Sequence, residues 1–141
     1  MSDLSADLDL IRAAAIAAGD LALAEREAGL KIWSKSGGSP VTSADMAVDR
    51  LLRDALLGAR PDHGWLSEET ADTPDRLTAR RIFVVDPIDG TVAYMKGKPW
   101  WSLTLPPASS TIRAPAQTSQ SHLGVRAMAA SKAPAATSAM R

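Results

Sequence analysis

The chain has 141 residues, of which 45% are hydrophobic; sixteen basic side chains balance sixteen acidic ones, and there is no cysteine. The balanced charge gives no reason to expect a nucleic-acid or membrane partner, and the lack of cysteine excludes disulfides and thiolate metal sites. The first residues, MSDLSADLDL, lack the basic segment and apolar core of a secretory signal, and no apolar run approaches the roughly 18 residues of a membrane span. We therefore expect a cytoplasmic globular protein of one domain.

The first predicted elements are two amphipathic helices. Residues 4–26 carry apolar side chains at steps of three and four, and the small alanines among them indicate close packing against a neighbour. A short strand at 30–35 and a flexible SGGSP turn precede the second helix, whose N-cap is predicted at Thr42 or Ser43 and whose end is predicted at Gly58. The predicted apolar faces consist of Leu4, Leu8, Ile11, Ala15, Ala18 and Ala22 in the first helix, and of Val48, Leu51, Leu52, Ala55 and Leu56 in the second.

Three strands are predicted after the helices. HGWLSEE is typical of a short strand that ends in paired acids, and TADTPDRLTAR is a polar connection with at most one helical turn. RIFVV, at 81–85, is the clearest buried strand because it is a continuous β-rich run, and WWSLTL, at 100–105, predicts the next one. Strands that alternate with helices indicate a layered α/β or α+β domain.

The remainder of the chain has a different composition. All sixteen acids and twelve of the basic residues precede Pro106, whereas residues 106–141 hold four basic residues and no acid, and are dominated by Ala, Ser, Thr and Pro. Such a segment cannot bury enough apolar surface to offset the entropy lost on ordering. We therefore expect a domain at 1–105 and a low-complexity tail at 106–141 that is disordered or forms weak helix.

Three acidic clusters lie at the ends of predicted strands or at the start of a helix. They contain Asp45 in VTSAD, Glu68 and Glu69 in LSEE, and Asp86 and Asp89 in DPIDGT. Carboxylates, hydroxyls and carbonyls without Cys or His suit a hard cation such as Mg²⁺. Because like charges repel, several carboxylates at one point imply a cation between them.

The DPIDGT segment can combine a metal site with a phosphate site. Pro87 is expected to stop the strand, so that the turn aims both acids and the Ile88 carbonyl at a common centre. Gly90 permits a positive φ or a close backbone approach, and Thr91 is expected to begin a short helix whose N–H groups face a bound anion. Two cations about 3.5–4 Å apart would activate water and stabilise the leaving oxygen.

Each cluster also has a purely structural explanation. SEE is usually a solvated loop, VTSAD a helix cap and DPIDGT a turn, while Trp100 and Trp101 suit a core or a partner-facing surface. Lys35, beside SGG, would then be a solvated loop lysine. A covalent aspartyl phosphatase of the haloacid dehalogenase type is disfavoured, because its nucleophile would stand two residues before Asp89, where this chain has Pro87. The order of the three clusters, each at an element boundary, favours a functional site.

The ordered motifs PVTSAD, WLSEET and VVDPIDGTVAYMKGKPWWSLTL resemble the inositol monophosphatase superfamily of Mg²⁺-dependent, lithium-sensitive phosphatases over about residues 5–105. The resemblance implies the N-terminal part of the inositol-monophosphatase-like sugar phosphatase fold, two or three Mg²⁺ ions, and in-line attack of water on a small phosphorylated substrate. GTVAYMKGKPW is most similar to the bacterial 3'(2'),5'-bisphosphate nucleotidase branch, which removes the 3'-phosphate of adenosine 3',5'-bisphosphate in sulfur assimilation. The alternatives are hydrolysis of inositol 1-phosphate and a non-catalytic metal- or partner-binding protein.

The resemblance also implies roles for the acidic residues. Glu68 would bind the first metal, with the Ile88 carbonyl completing that site. Asp86 would bridge two metals, and Asp89 would bind the second. A homodimer, as in members of the family, is one candidate assembly that the resemblance leaves open.

The remaining implied roles concern water and phosphate. Asp45 would accept a hydrogen bond from the Thr91 hydroxyl, and the pair would polarise the attacking water. The backbone N–H groups of Gly90 and Thr91 would hold the phosphate. Lys35 would correspond to the lysine of a mobile loop.

One family motif has no counterpart in this chain. The resemblance implies a further metal-binding aspartate in a Trp-Asp dipeptide, and the chain contains no such dipeptide. We therefore expect an incomplete second metal site, an unpaired edge strand after Leu105, and self-association or aggregation through Trp100 and Trp101. The composition after Leu105 also suggests a frameshift or truncation, which predicts that another frame of the coding DNA continues the strand.

Overall fold

The computed structural model describes residues 4–105 and a two-residue strand at 126–127, so the predicted tail lies almost wholly outside the described residues. None of the helices in this part of the chain is long and apolar enough to cross a membrane. The elements are α1 (Leu4–Ala28), β1 (Ile32–Ser34), β2 (Pro40–Thr42), α2 (Ser43–Ala59), β3 (Gly64–Ser67), a 3₁₀ helix (Pro74–Thr78), β4 (Ile82–Asp89), α3 (Thr91–Met95), β5 (Ser102–Thr104) and β6 (Arg126–Ala127).

The architecture is a helical layer on a mixed four-stranded sheet, which confirms the predicted layered αβ class. The strand order is β3-β4-β5-β6; β3 and β4 are parallel, and the other two pairs are antiparallel. Helix α1 packs on α2, and α2 packs on the central strand β4. Small side chains in α1, among them Ala18 and Ala22, are fully buried, and they let the two helix axes approach closely.

Strand β4 continues through Pro87 as far as Asp89, so the expectation that Pro87 stops the strand is wrong. The register pairs Asp86 with Thr104 and Asp89 with Ser102, which places three steps of β4 opposite two steps of β5. This is a β-bulge, and a proline is tolerated at a bulge because the extra residue needs no ladder hydrogen bond.

A short antiparallel hairpin precedes α2, and sequence reasoning found only its first strand. The two strands pair in register from Ile32 with Thr42 to Ser34 with Pro40. Gly37 has a positive φ of 103° in the connecting turn, which glycine adopts without strain. A three-residue strand is too short to show a periodicity of its own. The capping sequence beside it therefore favours a helix start at residues 41–42.

The end of α2 also differs from the prediction. The helix includes Gly58 and ends at Ala59, with Arg60 as the C-cap. Ala55, predicted on the apolar face, is exposed. The buried apolar residues of α2, among them Leu52, follow one another at intervals of four, so the buried face is too narrow to include Ala55.

The predicted unpaired edge is also wrong, because β6 pairs with Leu103 and Thr104 of β5. Trp101 is only 4% exposed and packs edge-on against Tyr94, with 5.1 Å between the ring centroids. Trp100 is 67% exposed. Only one of the two tryptophans predicted to form an exposed surface is therefore exposed.

A buried acid near the start of α1 connects three elements. Asp7 accepts hydrogen bonds from Arg60 Nε at 2.6 Å and from Arg81 Nη1 at 2.9 Å. These two arginines lie at the end of α2 and immediately before β4. A buried carboxylate requires such partners, so the pairing fixes where α1 begins relative to the sheet.

Tyr94 attaches the short helix α3 to α1. Its side chain is completely buried, and its hydroxyl donates to the Ala22 carbonyl at 2.6 Å. Burial raises the pKa of the Tyr94 phenol to about 12, so the group remains a protonated donor. The guanidinium of Arg26 lies 5.4 Å from the ring centroid and adds a cation–π contact.

We predict that Tyr94→Phe lowers the free energy of unfolding by about 1 kcal/mol, because one buried hydrogen bond is lost without a change of volume. Urea unfolding followed by circular dichroism measures the effect. Val92→Ala, at an exposed position of the same helix, is the matched control and should change stability less. Equal stability of Tyr94→Phe and the wild type would show that the hydroxyl contributes nothing.

Candidate metal and phosphate site

The first turn of α2 holds Asp45 in a single orientation. Thr42 is the N-cap, and its N–H and hydroxyl both donate to Asp45 Oδ2 at 2.7 Å, while the Asp45 N–H donates to Thr42 Oγ1 at 3.3 Å. This capping box is the structural explanation that the VTSAD sequence suggested. It occupies only one carboxylate oxygen, so the other remains available.

The second oxygen of Asp45 faces Thr91, the first residue of α3. Thr91 Oγ1 lies 3.4 Å from Asp45 Oδ1 and 3.1 Å from the Ile88 carbonyl oxygen. A hydroxyl has one proton, so these two acceptors compete for it. The fold thus brings together two residues predicted to act as a pair, although they are 46 positions apart in the chain.

Gly90 connects the bulged strand to α3, and two features require glycine there. Its φ is +83°, in the left-handed region, and a Cβ would lie 3.1 Å from the Trp100 carbonyl oxygen. The residue caps α3, so Thr91 begins the short helix as predicted. The backbone can therefore turn sharply between Asp89 and Thr91 without strain.

The parallel pairing of β3 with β4 places two of the acidic clusters side by side. Ser67 pairs with Val85, and the Glu68 N–H donates to the Val85 carbonyl at 3.3 Å. Glu68, which directly follows β3, therefore lies next to Asp86 in β4. Asp86 is half-buried, whereas Glu68 and Asp89 are exposed. The Ser102 hydroxyl lies 3.5 Å from Asp89 Oδ2, across the β4–β5 pair.

The electrostatic effect of this grouping is concentrated on Asp86. Burial, followed by the charges of Glu68 and Asp89 and then those of Glu69 and Asp45, raises the pKa of Asp86 to about 7. The ordinary pKa of an aspartate is about 3.9. The folded chain therefore disfavours the ionised form of Asp86 unless a positive charge is nearby.

The ligand atoms at this place are of the kind that a hard cation prefers, but the side chains that carry them do not converge on one point. Carboxylates and a backbone carbonyl are the ligands that Mg²⁺ prefers, and the repulsion felt by Asp86 is what a cation would relieve. However, no three Asp, Glu or His side chains within the described residues are arranged so that they could hold one ion. Glu68 and Asp89 are exposed, so their side chains can rotate with little loss of packing.

Lys35, in the turn of the hairpin, reaches the carboxylate group. Its Nζ lies 2.7 Å from Glu69 Oε1, and the Glu69 side chain is largely buried. Burial lowers the pKa of the Lys35 amine, but the hydrogen bond that it donates to Glu69 and the charges of Glu69, Glu68 and Asp45 outweigh this effect, so the pKa is raised. Lys35 is thus the partner of a buried acid, not the solvated loop lysine of the structural alternative.

Sequence reasoning missed a second buried acid of α2. Asp49 accepts hydrogen bonds from the hydroxyls of Ser67 and Thr70, which flank the Glu68-Glu69 pair. The available signal was an acid next to Val48 in the otherwise apolar stripe of the helix. A charge at such a position is buried, and it needs partners from another element.

A comparison with protein-family models matches residues 3–106 to the inositol monophosphatase family. The chain belongs to this family. This match confirms the family predicted from the ordered motifs.

Curated relatives of the chain carry several names. The chain is 42% identical over 67 residues to glucose-1-phosphate thymidylyltransferase of Streptomyces griseus, 33% over 76 residues to inositol-1-monophosphatase of Rhizobium meliloti, and 40% over 73 residues to histidinol-phosphatase of Streptomyces coelicolor. These alignments cover 48%, 54% and 52% of this chain and 26%, 28% and 26% of the relatives. The matched region thus spans about a quarter of the length of these relatives, and none of the three is named as a bisphosphate nucleotidase.

A solved structure shows the same fold over most of the described residues. The extragenic suppressor protein SuhB of Bartonella henselae superposes with a TM-score of 0.64 at 26% identity, over 70% of this chain and 39% of that protein. The N-terminal part of the inositol monophosphatase fold, predicted from the motifs, is therefore confirmed.

The raised pKa of Asp86 leads to a prediction about stability. In the folded chain Asp86 ionises near pH 7, whereas an unfolded aspartate ionises near pH 3.9, so folding stability falls as the pH rises between these values. At pH 8 in EDTA, the free energy of unfolding of Asp86→Asn should therefore exceed that of the wild type by about 1–2 kcal/mol. The difference is smaller than the full pKa shift implies, because the group is partly exposed and solvent screens its charge. At pH 4 the difference should largely vanish.

Chemical denaturation at the two pH values measures the effect. Asp54→Asn, at an exposed position of α2, is the matched control and should show little pH-dependent gain. If Asp86→Asn is no more stabilising at pH 8 than at pH 4, burial and the neighbouring carboxylates do not raise the pKa of Asp86 as described.

Proposed function

We propose that this chain carries the phosphate- and metal-binding part of a Mg²⁺-dependent phosphomonoesterase acting on the phosphate ester of a small alcohol, with inositol 1-phosphate as the first candidate. The observation that carries the proposal is the contact of Asp45 with Thr91 beside the crowded carboxylates around Asp86. A helix cap alone would need no second acceptor aimed at a hydroxyl of another element. The family match and the inositol-1-monophosphatase relative support this substrate above the bisphosphate nucleotide.

The proposed metal ligands follow from the sequence motifs and from the strand geometry. Glu68 and the Ile88 carbonyl would hold one cation, Asp89 a second, and Asp86 would lie between them. Bound divalent cations would neutralise the phosphate and activate the attacking water. The half-buried position of Asp86 in β4 gives one ligand a fixed position, while the exposed Glu68 and Asp89 can adjust.

Asp45 and Thr91 would orient the attacking water and polarise its O–H bond through a chain of two hydrogen bonds. Water would donate to Thr91 Oγ1 while the Thr91 hydroxyl donates to Asp45 Oδ1, which lies 3.4 Å away. For this the Thr91 proton must leave the Ile88 carbonyl, 3.1 Å away. That carbonyl is then available as a ligand, so the two proposed roles are compatible.

The phosphate would bind where β4 passes into α3. The left-handed conformation of Gly90 turns the backbone there, and the N–H groups of Gly90 and Thr91 would donate to phosphate oxygens. Lys35, which already lies among these carboxylates, would bring the hairpin over the site. A lysine at this place adds positive charge, which favours an anionic substrate.

A second candidate substrate is histidinol phosphate. The Streptomyces coelicolor relative, which is 40% identical to this chain over 73 residues, is named for that activity. Both substrates are phosphate esters of small alcohols, and the described residues surround only the phosphate. The bisphosphate nucleotidase activity remains the third candidate, as predicted from GTVAYMKGKPW.

We predict that the 141-residue chain with Mg²⁺ releases little or no phosphate from any of the three candidate substrates, because it lacks the Trp-Asp dipeptide that the family resemblance implies. Whatever release occurs should disappear in Thr91→Val, which removes the hydroxyl at nearly constant volume. Phosphate release with inositol 1-phosphate, histidinol phosphate and adenosine 3',5'-bisphosphate, each with and without EDTA, measures both effects. Thr78→Val, an exposed threonine of the 3₁₀ helix, is the control.

The outcomes separate the candidate functions. Turnover close to that of a full-length relative would overturn the low-activity prediction, and its rank among the three substrates would identify the substrate class. Mg²⁺ binding without any hydrolysis would support the non-catalytic binding alternative. Release that persists in Thr91→Val or in EDTA would overturn the proposed site.

A further inference from the structure

Asp49 is a buried carboxylate with no role in the site proposed above. It lies on α2 one turn after Asp45 and is 5% exposed. Both of its oxygens are used: Oδ1 accepts from the Ser67 hydroxyl, and Oδ2 accepts from the Thr70 hydroxyl. Hydrogen bonds to an ionised acceptor are stronger than neutral ones, particularly where water is excluded.

The two hydroxyls stand at the two ends of the SEET segment. Between them are Glu68 and Glu69, and the Glu69 N–H donates to Ser67 Oγ at 3.2 Å. At the far end, Trp65 Nε1 lies 3.5 Å from Thr70 Oγ1. One carboxylate therefore closes a turn of four residues, and the two acids of that turn are the ones that approach the proposed cation site.

Helix α2 consequently positions both parts of the site. Residues four apart lie on the same face of a helix, about 6 Å apart along the axis at roughly 1.5 Å per residue. Asp45 extends to Thr91 in α3, and Asp49 extends to the turn after β3. Because the helix between them is rigid, it sets the distance from the hydroxyl that orients water to the acids of the turn.

We infer that Asp49 is a positioning residue of the site: through Ser67 and Thr70 it holds the Glu68-Glu69 turn in the arrangement that sets the affinity for a divalent cation. The inference rests on the proposed function, which assigns a cation to Glu68. A carboxylate suits this position because each of its two oxygens accepts one hydroxyl, whereas an amide has a single acceptor oxygen for the two donors.

The experiment compares Asp49→Asn with Asp54→Asn, which removes the same charge from an exposed position of the same helix. In EDTA, the hydrogen exchange of the Glu69 amide, measured by NMR, should become about tenfold faster in Asp49→Asn, since its Ser67 acceptor is no longer fixed. In a Mg²⁺ titration followed through the Glu68 and Glu69 amide signals, the dissociation constant should rise about tenfold, as expected for residues that orient metal ligands. Both quantities should be unchanged in Asp54→Asn.

Two milder variants keep the test decisive if Asp49→Asn folds poorly. Ser67→Ala and Thr70→Val each remove one donor from the turn, and each should weaken Mg²⁺ binding severalfold. Their effects should not add to that of Asp49→Asn, because all three act through one network. Tyr94→Phe, which is expected to lower stability through the contact of α3 with α1 and touches neither Asp49 nor its hydroxyl partners, should leave the Mg²⁺ dissociation constant unchanged and so separates positioning from general destabilisation.

The inference is overturned if Asp49→Asn and the two hydroxyl variants exchange the Glu69 amide and bind Mg²⁺ as Asp54→Asn does. A wild-type chain that binds no Mg²⁺ would instead overturn the proposed function. In that case the Glu69 exchange rates in EDTA still decide whether Asp49 holds the turn.

Discussion

The constraint on which the site depends is the burial of two carboxylates on one helix. A buried charge is tolerated only if its oxygens are hydrogen-bonded, and within the described residues no buried side-chain nitrogen or oxygen lacks a partner. For Asp45 and Asp49 these partners come from β2, from the turn after β3 and from α3. Satisfying the acids of α2 therefore also fixes the relative positions of the elements that carry the other groups of the site.

The sheet supplies the second requirement, which is to bring more acids to the same place. The parallel β3–β4 pair sets Glu68 beside Asp86, and the bulge at Pro87 extends β4 far enough for Asp89 and Thr91 to follow. The consequence is that burial and the neighbouring acidic charges together raise the pKa of Asp86. The well-packed remainder of the domain, such as the contact of Tyr94 with α1, compensates for this local cost.

Sequence reasoning recovered what has a period or a motif. The two long helices and the buried core of β4 follow from apolar spacing, and the pairing of Asp45 with Thr91 was anticipated because ordered motifs specify a family geometry. Strand β2 was missed because three residues hold no period, and the continuation of β4 was missed because a bulge is set by the neighbouring strand. Asp49 was missed for another reason: its partners lie in a different element, and no local pattern links them.

The same charges explain why the acids do not converge within the described residues. Asp86 is fixed by its strand, whereas Glu68 and Asp89 are exposed, so repulsion is relieved by turning the exposed carboxylates toward water. A bound cation would attract each carboxylate and outweigh their mutual repulsion, and would thus draw the exposed carboxylates toward the fixed one. Lys35, the lysine that reaches this group of acids, has its Nζ on Glu69 Oε1. A ligand set with one rigid acid and two adjustable ones thus limits repulsion in the free chain while keeping the ability to close around a bound ion.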